Sequence, residues 1–448
     1  MNRFCYTCLL KVVAPIMLAL LARKAKRAGG VWEIRAPERF GRYEGVEPAL
    51  QSSAVAAADD EVAVALDFKR AVWVHAVSLG ETRAAQPLVQ ALLDQGLPVL
   101  LTHMTATGRA MGASFFEAYI RSGQLRQAWI PYDLPRAVKG FLDYWQPRCG
   151  ILIEREIWPN LLAEAKAQQI PMVLVSARFS DASLKQARRL GSVLKEAFTS
   201  LALILAQSSE DQQRLQDYGL AGVQLAGNLK FDVKVPTSVV QQARQFKQQL
   251  QRPVVVIAST REGEEWMFLD SIKTAALPQS LASAPTPLYV LVPRHPERFE
   301  EVAQVLEASG LSYCRRSSQP SPQALSHCHV LLGDSLGEMF FYYGLADVVI
   351  VGGSFADFGG QNNIEPSALA LPVLVGPHTA NFKQAVADAI AAGATRRCES
   401  ALEAIAMAQQ LLAEPAQAQA MGQAAEQWLA QHRGATERTM QYLQPFLQ

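Results

Sequence analysis

The sequence predicts an α/β protein built from two Rossmann-like, doubly wound domains, and three observations carry that reading. Short, nearly continuous apolar runs alternate with longer stretches of helical period, the pattern of parallel sheets covered on both faces. The apolar runs come in two series, one at 71–77, 98–103, 128–130, 149–154, 171–176 and 201–207, and a second at 253–258, 289–293, 330–333, 347–351 and 372–376. Between the series, the stretch from Gly227 to Pro236 has neither period. The 448 residues also suit two or three domains of roughly 100–200 residues. The predicted division is 1–30 as an anchor with a basic flank, 31–226 as the first domain, 227–240 as a linker, 241–425 as the second domain, and 426–448 as a C-terminal helix returning toward the first.

Taken in order, the N-terminus departs first from the average. Residues 4–22 (FCYTCLLKVVAPIMLALLA) are apolar and lead directly into Arg23, Lys24, Lys26 and Arg27. Nineteen helical residues reach roughly 28 Å, barely a hydrocarbon core. Lys11 lies mid-run, where a charge costs about 2.5–3.5 kcal/mol, and Pro15 is expected to interrupt the helix. The segment therefore reads as an amphipathic anchor embedded in the membrane surface rather than a full span, with its cations against anionic lipid on the cytoplasmic side. A cleaved signal peptide is the other rival, but four cations directly after the run make a poor cleavage site. Cys5 and Cys8 have no second pair nearby and read as small apolar residues of the anchor.

Helical periods at 82–95 and 134–145 separate the first strands. A further helix over 184–195 carries Lys185, Arg188, Arg189 and Lys195, a solvated face or a steering surface for acidic headgroups. Residues 317–326 (SSQPSPQALS) are a surface loop, and 401–447 is rich in Ala, Gln and Leu and helical. Half the residues are hydrophobic and 19% are charged, which excludes a disordered, collagenous or coiled-coil chain. With 42 Lys and Arg against 41 Asp and Glu, no whole-chain field exists to hold nucleic acid. Six scattered cysteines form no disulfide framework and suit a reducing compartment.

Ligands of open α/β sheets bind beyond the carboxyl ends of the strands, and the polar motifs stand there. After the run 71–77 comes Ser78-Leu79-Gly80-Glu81. One reading is a capping box, with Ser78 as N-cap and Glu81 reaching back to its amide. The other makes Glu81 a general base for a hydroxyl, with Gly80 permitting close approach. Glu154-Arg155-Glu156 follows the run beginning at Cys149, and strand alternation would send both glutamates to one side with Arg155 opposite. They are either a helix cap and an ion pair with Arg155, or site carboxylates. Thr107, in Met104-Thr105-Ala106-Thr107-Gly108, sits in a turn that is an N-cap or an anion holder.

In the second series, Pro293-Arg294 presents a guanidinium suited to phosphate or to an ion pair. The turn Gly333 to Glu338, including Leu336 and Gly337, opens a helix. Gly352-Gly353-Ser354 and Asn362-Asn363-Ile364-Glu365 complete a set of Gly-rich turns that reads as a nucleotide cradle, Glu365 being placed to accept two ribose hydroxyls. No GxGxxG follows a strand with a downstream acid, and no Walker A motif is present. His327-Cys328-His329 lacks the companions of a metal site, and no metal or cofactor is predicted.

The motifs HAVSLGE (75–81), MTATGR (104–109), PYDLP (131–135), EREIWPN (154–160), SARFS (176–180), GNLKFD (227–232), VPRHPERF (292–299), GDSLGEM (333–339), GGS (352–354), NNIEP (362–366) and GPHTANF (376–382) resemble, in order, those of the bacterial 3-deoxy-D-manno-octulosonic acid (Kdo) transferases of lipopolysaccharide synthesis. The resemblance spans nearly the whole chain. It implies the GT-B fold, two domains facing a central cleft, and inverting transfer of Kdo from CMP-Kdo to a hydroxyl of the lipid A precursor. It also implies that the reaction needs no metal and proceeds at the cytoplasmic face of the inner membrane. By the resemblance Glu81 is the base, Glu154 and Lys230 stabilise the transition state, and Pro293, Arg294, Leu336 to Glu338 and Asn362 to Glu365 bind CMP. Where the family usually has His, Pro and His, this chain has Gln361, Asn363 and Arg261. The alternatives are another nucleotide-sugar transferase or epimerase of the same fold, and a non-catalytic membrane adaptor.

Overall fold

The computed structural model describes residues 1–28, 31–43, 68–275, 278 and 285–448. The chain forms two compact units, Met1–Asp232 with Gly434–Gln448, and Val233–Arg433. The first holds β1 (Val72–His75), β2 (Val99–His103), β3 (Leu125–Trp129), β4 (Cys149–Ile153), β5 (Met172–Ala177), β6 (Leu203–Ala206) and β7 (Gln224–Leu225). All pairs are parallel, in the order β3-β2-β1-β4-β5-β6-β7. The strands are apolar on both faces because helices cover both. Trp73 and Leu152 pack with Phe141 and Leu161 on one side, while Val74 and Ile151 pack with Leu88, Leu92 and Leu443 on the other.

The second unit repeats the plan with β8 (Val254–Thr260), β9 (Leu288–Pro293), β10 (Tyr313–Arg315), β11 (Val330–Leu332), β12 (Val348–Val351), β13 (Val373–Val375) and β14 (Thr395–Arg397). Their order is β10-β11-β9-β8-β12-β13-β14, again all parallel. Three strands lie outside the apolar runs of the sequence: β7, β10 and β14. Each ends a sheet, and their residues (Gln-Leu, Tyr-Cys-Arg, Thr-Arg-Arg) show why they carry no apolar signal. An edge strand is short and half solvated, so its side chains need not be hydrophobic.

Several boundaries differ from the sequence reading. Leu229–Asp232 is a 3-10 turn belonging to the first unit, with Leu229 and Phe231 buried, and the helix Thr237–Leu250 already opens the second. The C-terminal stretch is two helices, Pro415–His432 and Ala435–Leu447, broken at Gly434, whose φ of 89° suits glycine. The last helix packs on the first unit, and Asp232 ties down its start by accepting the amides of Gly434 (2.7 Å) and Thr436 (2.5 Å). The basic stretch 184–195 is likewise split at Gly191 into Asp181–Leu190 and Ser192–Thr199, and Lys195 is drawn away to the carbonyls of Tyr218 and Gly219.

The N-terminal helix runs unbroken from Arg3 to Ala28, through Pro15. Its apolar residues lie all round the circumference, so it is not amphipathic by sequence. Arg3–Arg23 is long and apolar enough to cross a membrane. One side docks on the first unit. The Tyr6 hydroxyl donates to Asp133 (2.9 Å), that of Thr7 to Asn160 (2.9 Å), and the Met1 carbonyl accepts from Val193 (3.0 Å). Farther along, Ala25 packs on Trp32 and Trp129. The other side leaves Phe4, Leu9, Val12, Ile16 and Leu20 exposed.

Candidate active site

The connections cross from one side of the sheet to the other between β1 and β4 in the first sheet and between β8 and β12 in the second, the kind of switch point at which open α/β sheets bind ligands. Glu81, Glu154 and Glu156 follow β1 and β4, Gly353 and Ser354 follow β12, and the other candidates follow neighbouring strands.

In the first unit, β1 ends at His75 and the helix Leu79–Asp94 begins four residues later, with Glu81 in its first turn. No capping box forms. The Ser78 side chain makes no cap bond, and Glu81 reaches past it so that Oε2 accepts the Val77 amide at 2.6 Å. Gly80 is open, for a Cβ at that position would meet nothing nearer than the Ser78 hydroxyl at 4.0 Å. The neighbouring turn is capped by Thr105, which accepts the Gly108 amide at 3.2 Å, and leaves Thr107 exposed. Gly108 lets the two turns abut, since a Cβ there would stand 3.1 Å from the Ser78 backbone.

Beside Glu81 stand the residues that follow β4. The strand stops at Ile153, so alternation does not govern Glu154 and Glu156. Glu154 instead takes a left-handed φ of 60°, a conformation that costs a non-glycine residue about 1–3 kcal/mol and collects at functional sites. Its backbone is clamped on both sides, the amide donating to Val175 (3.0 Å) and the carbonyl accepting from Arg178 (3.1 Å). The Glu154 carboxylate does not pair with Arg155. Lys230 Nζ lies 2.5 Å from Oε1, with both side chains largely buried. Burial alone would raise the carboxyl, but Lys230, with Arg178 and Arg155, outweighs it and holds Glu154 below its ordinary value. Glu156 accepts the Trp158 ring N–H at 2.7 Å instead of capping the helix, and burial raises its pKa.

The fold thus brings Glu81, Glu154, Glu156 and Lys230 together, although the chain separates Glu81 from Lys230 by 149 positions. Burial, then the charges of Glu156 and Glu154, push Glu81 up to about 8 against the opposing pull of the Val77 amide and Lys230. Adjacent carboxyls are driven apart, one held ionised and one poised to carry a proton near neutral pH. Local pattern showed Lys230 only as part of a segment without period, and the family resemblance alone singled it out, because the fold is what brings it to Glu154.

In the second unit, Pro293 ends β9 and Arg294 follows, half-buried, its amide on the Thr260 carbonyl at 3.0 Å. Arg261, after β8, and Arg294 both act on His295, whose pKa burial and these two cations lower. The cations therefore cluster at the ends of two adjacent strands. In the next turn Leu336 is 68% exposed and Gly337 has a φ of 80°. Glu338 is gripped by Arg316 through both oxygens (2.7 and 3.1 Å) and by the Ser335 hydroxyl, which hold it below its ordinary pKa against burial.

Gly353, with a φ of 65°, lies against Gln361, which leaves no room for a Cβ. Ser354 is turned inward, its hydroxyl joining the Val351 carbonyl (2.5 Å) to the Gly376 amide (2.8 Å), so it is a structural tie between β12 and β13. Asn362 caps the Ile364 amide (2.9 Å), and Ile364 and Glu365 are buried in the short helix Ile364–Ser367. Asn363, in place of the family's usual Pro, is fully buried, and neither its carboxamide oxygen nor its nitrogen has a hydrogen-bond partner among the described residues.

Sequence reasoning passed over Glu264. It is fully buried and accepts amides from Gly353 (2.6 Å), Phe355 (2.8 Å), Arg261 (2.9 Å) and Ala356 (3.3 Å), so that one carboxylate shapes the turns after β8 and β12. Its signal was the pair Glu264-Glu265 opening the helix Glu264–Thr274 just after β8; Glu265 pairs with Arg298 at 2.7 Å.

Known proteins bear on this geometry. A protein-family model described as 3-deoxy-D-manno-octulosonic-acid transferase (kdotransferase) matches residues 35–233. A 3-deoxy-D-manno-octulosonic acid transferase of Bordetella pertussis is 53% identical over 450 residues, covering 100% of both chains. The chain belongs to the Kdo transferase family. A second relative of the same description, from Haemophilus influenzae, is 31% identical over 464 residues, 100% of this chain and 99% of its own. The Kdo transferase chain shares its GT-B fold with the crystal structure of UDP-GlcNAc 2-epimerase from Neisseria meningitidis, at a TM-score of 0.57 and 15% identity over 84% of this chain and 100% of the other. That likeness concerns fold alone. Within this family the chain is a glycosyltransferase, an enzyme of lipopolysaccharide synthesis.

Proposed function

We propose that this transferase moves Kdo from CMP-Kdo to a hydroxyl of the lipid A precursor with inversion, Glu81 acting as the base. The observation that carries the reading is the Glu81 carboxyl, raised to about 8 beside a Glu154 kept ionised by Lys230. In the step, the acceptor oxygen bonds to the anomeric carbon of Kdo and its proton passes to Glu81. The bond from that carbon to the phosphate oxygen breaks, and CMP leaves with the electron pair. The ionised Glu154 stabilises positive charge developing at the anomeric carbon, while Lys230 balances Glu154 and faces the donor's own carboxylate.

The second unit holds the nucleotide. Arg294 and the Leu336–Glu338 turn take the phosphate, Glu365 takes the ribose hydroxyls, and Pro293, Asn362, Asn363 and Ile364 shape the pocket around them. Charge compensation comes from side chains of this chain, and no metal or cofactor enters the scheme. The N-terminal helix lies in the cytoplasmic surface of the inner membrane. Its docked face and exposed apolar face favour lying flat over crossing, since a spanning helix would have to give up its bonds to Asp133 and Asn160. Its exposed side meets acyl chains and its basic flank meets anionic headgroups.

Mass spectrometry of the product from CMP-Kdo and lipid A precursor tests the reaction. The expected product is the acceptor carrying added Kdo, absent with Glu81→Ala. Full transfer by that variant overturns the assignment of the base.

A further inference from the structure

We propose that His103 is a positioning residue for Glu81, acting through a hydrogen-bond relay that crosses a single peptide group. The proposal deepens the reading of Glu81 as the base and rests on it. His103 ends β2, fully buried, on the strand beside β1. Its Nδ1 lies 3.0 Å from the Ala76 carbonyl oxygen, with the Thr82 hydroxyl at 3.3 Å. The amide of that same peptide group is the Val77 N–H, which Glu81 Oε2 accepts at 2.6 Å.

The direction of the relay is set from its far end. Gln127 Nε2 lies 3.0 Å from the Arg109 carbonyl, which can only accept, and 3.1 Å from His103 Nε2. Gln127 therefore donates to Nε2, the proton of the neutral imidazole stands on Nδ1, and Nδ1–H donates to Ala76. Burial lowers the His103 pKa to about 3, so the ring stays neutral throughout the working range. Gly112 makes space for this pairing, since a Cβ there would stand 2.6 Å from Gln127 Nε2 and 3.0 Å from His103 Nε2.

A carbonyl that accepts a hydrogen bond polarises its own peptide group and strengthens the N–H on the other end. His103 thereby sharpens the Val77 donor, orients Glu81 and favours its ionised form. The charged groups facing Glu81 are Glu156 and Glu154 from the end of β4 and Lys230 from the turn Leu229–Asp232; those facing His103 are His75 and Arg109. They act through space and are common to all the variants below.

The test is kcat/KM against pH, with CMP-Kdo and lipid A precursor, for the full chain and for His103→Leu, His103→Asn, Gln127→Met and Glu81→Gln. Weakening the amide bond by the cooperative fraction moves the acid limb upward by roughly 0.2–0.6 pH unit. His103→Leu then loses about 2- to 4-fold at pH 7 and recovers at pH 9. Gln127→Met shifts in the same direction, and His103→Asn, which keeps a donor toward Ala76, restores the limb. A folded His103→Leu whose limb stays in place, or whose loss is equal at every pH, overturns the relay. If His103→Leu does not fold, Gln127→Met, at a half-buried position, decides alone, and an unshifted limb overturns the relay. Glu81→Gln separates the two claims. An active Glu81→Gln with the wild-type limb removes the base, whereas an inactive Glu81→Gln with unmoved limbs in the other variants removes only the relay.

Discussion

Replacing Glu81 with Gln should make this enzyme both inactive and more stable. The folded protein holds the Glu81 proton up to about 8, while the unfolded chain releases it at the ordinary value near 4.5. A carboxyl whose pKa is raised on folding contributes fully below the unfolded value, and that contribution is lost as pH rises toward the folded one. At about 1.4 kcal/mol per pH unit the separation amounts to several kcal/mol. Glu81 is only half-buried, so solvent screening brings the loss to on the order of 1–2 kcal/mol. Gln cannot ionise and escapes it. Thermal unfolding of the two proteins should give matching midpoints near pH 5 and a Gln variant higher by about 2–6 °C near pH 8.5. In parallel, the acid limb of wild-type kcat/KM should fall near pH 8, and the variant should lose roughly 10²–10⁴-fold. Equal midpoints at both pH values, with a limb well below 6, would refute the crowding of Glu81 by Glu154 and Glu156.

Lys230→Met leaves the Glu154 carboxylate buried and unpaired, so it should lower stability by about 3–5 kcal/mol, measured by chemical denaturation; adding Glu154→Gln should restore most of the stability and none of the activity. Arg316→Met releases Glu338 and the Leu336–Glu338 turn, so CMP affinity by calorimetry should fall about tenfold, in keeping with a charge-assisted bidentate pair, while kcat at saturating donor changes little. Val12→Glu with Ile16→Glu places charges on the exposed side of the N-terminal helix and should abolish sedimentation with vesicles of anionic phospholipid, leaving the far-ultraviolet circular dichroism unchanged.

The two-sheet plan was legible wherever a strand is buried on both faces, because such a strand must be apolar throughout. It was illegible at β7, β10 and β14, where an edge lets polar residues stand. The site divided in a similar way. Glu81, Glu154 and Arg294 could be picked out because polar residues soon after apolar strands fall at the ligand-binding end of a parallel sheet, and Glu365 because it is a carboxylate opening a helix after Gly-rich turns. Ser354 satisfied the same rule and proved to be a tie between two strands, since position after a strand does not say which way a hydroxyl turns.

What the sequence determined by itself was the succession of buried strands, the switch-point turns and the motifs of the family, all of which are local. Tertiary structure alone decided that Lys230 pairs with Glu154, that Glu264 gathers four amides, and that Glu81 is crowded toward a neutral form. Those outcomes depend on burial and on charges brought together from distant parts of the chain, and neither quantity is written in the neighbourhood of any one residue.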